Sequence, residues 1–228
     1  MGATCQFSSS MTGLAYAAGE CFDDTEKERI ASLYHAVTNN DYELCLAVSR
    51  LEGEMKDKMQ EYWTQFILLD DPIYWIHMKG EEAAEADFTE KYLAILKNIA
   101  EILEDSHMNG RYDYRTMLLL CRFLIKKCDY RLDLLTGKSA LDLSHLIPAI
   151  EQSLKEYIEQ FQKAWQEEAA YFGLEVNEYR LGGQLLRWET LRKHLSSGEI
   201  PEDVLEGRTP AAMPYDELVF KVSGSPIY

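Results

Sequence analysis

Apolar residues recur at three- and four-residue spacing through most of this chain, and alternation with period two is almost absent. The first rhythm lines one face of an α-helix, whereas the second would line a half-buried strand. Ile30, Leu33, Tyr34 and Val37 form the first stripe, preceded by the capping residues Asp23, Asp24 and Thr25. The turn TNND at 38–41 ends it, and Leu44, Cys45, Val48 and Leu51 continue the pattern, so 24–52 reads as a helical hairpin. A third helix is predicted over 54–69, with Met55, Met59, Tyr62, Trp63 and Phe66 on one side, until the DDP of 70–72 breaks it. A short aromatic piece, IYWIHM, follows and stops near Gly80.

The second half is patterned in the same way. Phe88, Tyr92, Ile95, Leu96, Ile99, Ile102 and Leu103 predict an amphipathic helix over 81–104, closed by Asn109-Gly110. Asp113 can cap the next helix, which is predicted to reach about Asp129 with Met117, Leu120, Cys121, Leu124, Ile125 and Cys128 inward. Pro148 suits a first helical turn, and Ile150, Leu154, Ile158, Phe161, Trp165 and Phe172 carry a long helix to Gly173. A last helix is predicted over 184–195, with Leu185, Leu186, Trp188, Leu191 and Leu195. The fold class is therefore all-α: a single-domain multi-helix bundle or irregular helical array with an extended C-terminal arm. Residues 1–22 read as a flexible lead-in, 23–197 as the helical domain and 198–228 as an arm packed on it. Within the arm, 218–222 has strand-like composition, but no second strand is evident to pair with it.

Charge sharpens this picture. The net charge is −16, and such a surface repels nucleic-acid phosphates and anionic lipid headgroups. The expected partner is a protein, with a basic surface as the natural complement; neither nucleic acid nor membrane is expected. The sequence holds no run of about 20 apolar residues that would span a bilayer. Residues 81–105 carry a net −6 and residues 111–131 a net +4, which predicts an antiparallel pair with complementary flanks. Five cysteines occur without a Cys-x-x-Cys pair, pointing to reduced, buried thiols and a cytoplasmic protein. The N-terminal stretch lacks the basic and apolar regions of a secretory signal, and Gln6 stands where a myristoylation motif expects Ser or Thr.

The stretch LLTGKSALDL at 134–143 invites a nucleotide reading. A phosphate-binding loop needs a second glycine five residues before its Gly-Lys pair and a buried strand ahead of it. Here Leu132 occupies that position, and a basic helix precedes it. Residues 123–144 resemble one ankyrin-repeat junction, on which Ser139 would cap a helix and Leu141 and Leu143 would pack. No counterpart recurs at the 33-residue period that a stacked array needs. The stretch reads as a capped turn leading into a helix.

No constellation for catalysis stands out. Glu104 with His107, and Asp142 with His145, repeat the carboxylate-x-x-His spacing of a di-iron helix bundle, but two further carboxylates are needed mid-bundle. No Gly-x-Ser-x-Gly occurs, and His35, His77 and His194 stand singly. Trp63, Trp165 and Trp188 are read as core. No catalytic residue, metal site or cofactor is assigned. The candidate partner-binding residues are the acidic cluster Glu81, Glu82, Glu85, Asp87, Glu101, Glu104 and Asp105; Glu156, Glu159, Glu167 and Glu168 form a second group. Such runs usually form solvated faces, and they also steer cationic partners.

The hairpin LYHAVTNNDYELCLAVSRL and the acidic helix EEAAEADFTEKYLAILKNIAEILED resemble the helical immunity proteins of bacterial toxin systems. That resemblance implies stoichiometric blockade of a cognate protein. The expectation is an acidic protein-binding module of inhibitor or immunity type. The alternatives are a helical scaffold or adaptor and a helical metal-dependent enzyme.

Overall fold

The computed structural model describes residues 16–21, 27–53, 63–72, 82–105, 114–168 and 173–198. The helices are α1 (Lys27–Thr38), α2 (Tyr42–Gly53), α3 (Trp63–Leu69), α4 (Glu82–Glu104), α5 (Arg115–Leu135), α6 (Ile147–Glu168) and α7 (Leu174–Ser197), with a 3-10 turn at Ser144–Leu146 before α6. A further short helical piece occupies 16–21, inside the expected lead-in. No strand occurs among the described residues, and the all-α architecture follows. No helix among them is long and apolar enough to cross a membrane. The arm, the aromatic piece after Pro72, the Asn109-Gly110 stop and the first half of the expected 54–69 helix lie outside the described residues.

The chain winds back and forth: α4 packs most extensively on α5, α5 on α6, and α6 on α7. The α1–α2 hairpin joins this array through α2 on α4, while short α3 touches both α2 and α7. One large core runs through the array, with Leu96, Leu120, Cys121, Phe123, Leu124, Leu154, Leu181 and Trp188 fully enclosed. Ile30, Tyr34, Tyr42 and Cys45 form a separate small core between α1 and α2. Tyr34 ties that satellite to the main body through a 2.7 Å hydrogen bond between its hydroxyl and that of Tyr114.

Several expected boundaries move, each for a local physical reason. α5 continues six residues beyond Asp129 because Tyr130, Arg131 and Leu134 are also buried. It then stops in a Schellman turn: the Gly137 amide donates to Leu134 O at 3.0 Å and the Lys138 amide to Asp133 O at 3.1 Å. Gly137 takes φ +94°, which a side chain would oppose. α7 begins ten residues before the expected Gln184, and Gly173 opens it at φ +93°. A Cβ at Gly173 would sit in ordinary contact with the Trp165 ring, at 3.4 Å, so the positive φ rather than crowding is what favours glycine here. The early part of α7 is hard to read because Gly182-Gly183 are poor helix formers and because Val176 and Tyr179 are exposed and blur the apolar stripe; Leu186, expected on the inward stripe, is also exposed.

Candidate functional site

The acidic helix does not present its carboxylates as one surface. Glu81 lies outside the described residues, and the side chain of Glu82 is likewise outside them. Glu85 turns into the core, where its carboxylate meets the Arg131 guanidinium: Nη2 donates to Oε2 at 3.1 Å and Nε donates to Oε1. Glu85 thus leaves the expected docking face. Asp87 is exposed and pairs with Lys91 one turn on, at 2.6 Å. Glu104 is exposed and pairs with Arg122 of α5 at 3.0 Å. Glu101 and Asp105 are exposed beside it at the end of α4. The complementary flanks expected from charge do form: Arg122–Glu104 and Lys97–Asp129 at 3.5 Å lie along the α4–α5 seam, which runs antiparallel.

The strongest electrostatics lie inside. Lys127 is fully enclosed, and its Nζ donates to the carbonyl oxygens of Leu68, at 3.3 Å, and of Asp70. These carbonyls end α3, where the helix dipole favours a cation. Burial pushes the Lys127 ammonium down to about 8, against the upward pull of Asp70 and Asp71. Arg187 of α7 grips the buried Asp71 carboxylate, with Nη2 at 2.8 Å. The DDP turn is therefore fastened from two helices, by Lys127 on its carbonyls and by Arg187 on its carboxylate. Nearby, Tyr92 donates a 2.7 Å hydrogen bond to Thr64 of α3. On the far seam Arg192 bonds the buried Glu151 carboxylate at 2.8 Å.

A lysine with a lowered pKa is chemically competent as a base or nucleophile. Here the nitrogen has no approach from solvent and is committed to two carbonyls; its role is to clamp a turn. Buried thiols behave similarly. Burial pushes Cys121 and Cys128 up to about 12, so neither supplies a thiolate near neutrality. Cys45 is buried too, and Cys21 is exposed.

The GKS stretch closes the nucleotide question on geometry. Lys138 turns back to Asp133, with Nζ 2.7 Å from Oδ1. Ser139 and Asp142 form a reciprocal capping box: Asp142 N donates to Ser139 Oγ at 3.2 Å, and Ser139 N donates to Asp142 Oδ2 at 3.2 Å. Hydrogen bonding to Ser139 holds the Asp142 carboxyl below its ordinary value. Leu143 packs in the core, but Leu141 is half exposed, a departure from the ankyrin-like expectation. His145 Nδ1 lies 2.9 Å from the Asp142 carbonyl oxygen, while the Asp142 carboxylate is engaged by Ser139, so the two side chains do not converge. Among the described residues no group of three or more His, Cys, Asp or Glu is placed to hold a metal ion.

Sequence reasoning missed Lys127, Arg131, Asp70 and Asp71 as interior residues, because charged residues read as surface. A faint signal was present: Lys127 and Arg131 lie one turn apart on the same side of α5 as Leu120 and Leu124.

The six helices α2 to α7 fall inside residues 40–200, which match the model of the glycoside hydrolase 20C C-terminal domain. This chain belongs to that family. The matched residues do not include α1, whose Ile30 and Tyr34 form the small core with Tyr42 and Cys45 of α2, inside the match. It takes in both clamps of the DDP turn and the Glu85–Arg131 pair, so the buried ionic network lies wholly within the family's domain. No curated protein matches the chain.

Proposed function

We propose that this chain is a protein-binding helical domain whose partner is the catalytic domain of a glycoside hydrolase. One observation carries the reading: the family match spans α2 to α7, and the family is described as a C-terminal domain of such an enzyme. The interior supports it. The interior groups that chemistry would draw on are tied up or shut in: Lys127 clamps the DDP turn, and burial raises the Cys121 and Cys128 thiols, which suits a rigid docking body better than a reactive centre. The net charge of −16, with Glu101 and Asp105 exposed at one end of α4, favours a partner surface with basic patches and disfavours nucleic acid. The buried thiols of Cys45, Cys121 and Cys128 suit a reducing, cytoplasmic setting.

The test is to mix the purified chain with the catalytic domain of a glycoside hydrolase of this family and follow complex formation by sedimentation and by activity. A one-to-one complex that weakens with salt is expected. Unchanged or raised hydrolase activity in the complex marks an accessory domain, and loss of activity marks the inhibitor form of the same binding. Absence of any complex at low salt and high concentration removes the reading.

A further inference from the structure

Tyr130 of α5 and Trp188 of α7 meet in the core with their rings edge to face, 5.3 Å between centroids. Both residues are 0% exposed. Neither the Tyr130 hydroxyl nor the Trp188 indole N–H has a hydrogen-bond partner among the described residues. The charged groups around them are engaged: Lys127 on two carbonyls, Arg131 on Glu85, and Arg187 on Asp71. A buried donor without an acceptor has given up its hydration and received nothing in exchange, so two such donors in contact call for an explanation. The Asp71 carboxylate bears on the same place. Burial raises the Tyr130 hydroxyl most; Arg131 then pulls it down and Asp71 pushes it up. Asp71 is thus within electrostatic reach of the hydroxyl, although no direct hydrogen bond joins the two. A polar pair held apart in this way is commonly bridged by solvent.

We propose that one internal water molecule is bound between Tyr130, Trp188 and Asp71, accepting from the hydroxyl and from the indole N–H and donating to the carboxylate. The chemistry of the three groups selects the occupant. The indole N–H is a donor only, and a bare cation offers it no lone pair. The carboxylate repels an anion. What fits both is a small neutral molecule that accepts and donates, and interior waters typically make about three such bonds. Asp71 can take the third. Its bonds from Arg187 Nε at 2.9 Å and Nη2 at 2.8 Å both end on Oδ2, and an ionised carboxylate has about four acceptor positions. The three partners come from the turn after α3, from α5 and from α7. The water therefore fastens the DDP turn to both long helices at once, beside the direct clamps of Lys127 and Arg187. This site is independent of any hydrolase complex, and either can fail alone.

A crystal structure of the full chain, at a resolution that shows ordered solvent, tests it directly. One water is expected within hydrogen-bond distance of both Tyr130 Oη and Trp188 Nε1, with Asp71 as its third partner. Tyr130→Phe gives the reading in solution. It should lower the melting temperature, because it removes a hydroxyl that is bonded in the folded state; removal of an idle buried hydroxyl would leave the melting temperature unchanged or raise it. The proposal is overturned by a crystal structure with no water there, with an ion in its place, or with a protein acceptor bonded to either donor. A Tyr130→Phe protein that melts at or above the wild-type temperature overturns it as well.

Discussion

Arg131 and Glu85 form a buried ion pair where α4 and α5 pack, each side chain no more than 3% exposed. Two hydrogen bonds join them, through Nε and through Nη2. Paired in this way the two charges are tolerated, but either one alone would be stranded in the core. Glu85→Ala should therefore destabilise the fold by about 3–5 kcal/mol in urea unfolding. The double variant Glu85→Leu, Arg131→Met should recover much of that loss. A Glu85→Ala effect under about 1 kcal/mol would mean that the pair is solvated.

Lys127 makes stability depend on pH in a specific direction. Its folded value, about 8, lies below its ordinary 10.5. Between these values the unfolded chain binds the proton more fully than the folded one, so stability rises with pH across the window. The buried tyrosines work oppositely above pH 10, because burial raises their values and folding then holds a proton that the unfolded chain releases. Comparison with Lys127→Met isolates the lysine. The wild type should gain up to about 3 kcal/mol on the variant between pH 8 and 10.5. Parallel pH profiles for the two proteins would contradict the lowered value of the buried ammonium.

α1 lies outside the family match yet is bonded to the main body through Tyr34 and Tyr114. Tyr34→Phe should lower stability by about 1 kcal/mol, the net worth of one neutral hydrogen bond. Unfolding should remain a single transition by both near-ultraviolet and far-ultraviolet circular dichroism. Separate melting of α1 would show instead that it is an independent appendage.

Gly137 occupies a left-handed position that ends α5. Gly137→Ala should cost about 1–2 kcal/mol, although its Cβ would meet open space. Magnesium ATP should leave the melting temperature unchanged, because Lys138 is folded back on Asp133 and the turn is closed by the capping box. Nucleotide protection would reopen the phosphate-loop reading.

Thiol reactivity should divide sharply. An aromatic disulfide reagent should label exposed Cys21 in the native protein, while Cys45, Cys121 and Cys128 react only on unfolding. Fast labelling of Cys121 or Cys128 would contradict their burial.

The sequence by itself determined the helical class, the α1–α2 hairpin, the α4–α5 pairing and the turn at Gly137, because periodicity, net charge and capping chemistry are local properties. It also placed Trp165 and Trp188 in the core, where the structure finds them. It could not place Glu85, which partners a residue 46 positions away, or Lys127, whose carbonyl partners are still farther along the chain. A charged side chain enters a core only when a distant element supplies its counterpart, and no local pattern records that. The start of α7 was lost for a related reason. Two glycines and exposed apolar residues blur the helical pattern until packing against α6 holds the helix together. Tertiary structure alone decided which charges are surface and which are fasteners, because desolvation depends on what arrives from elsewhere in the chain.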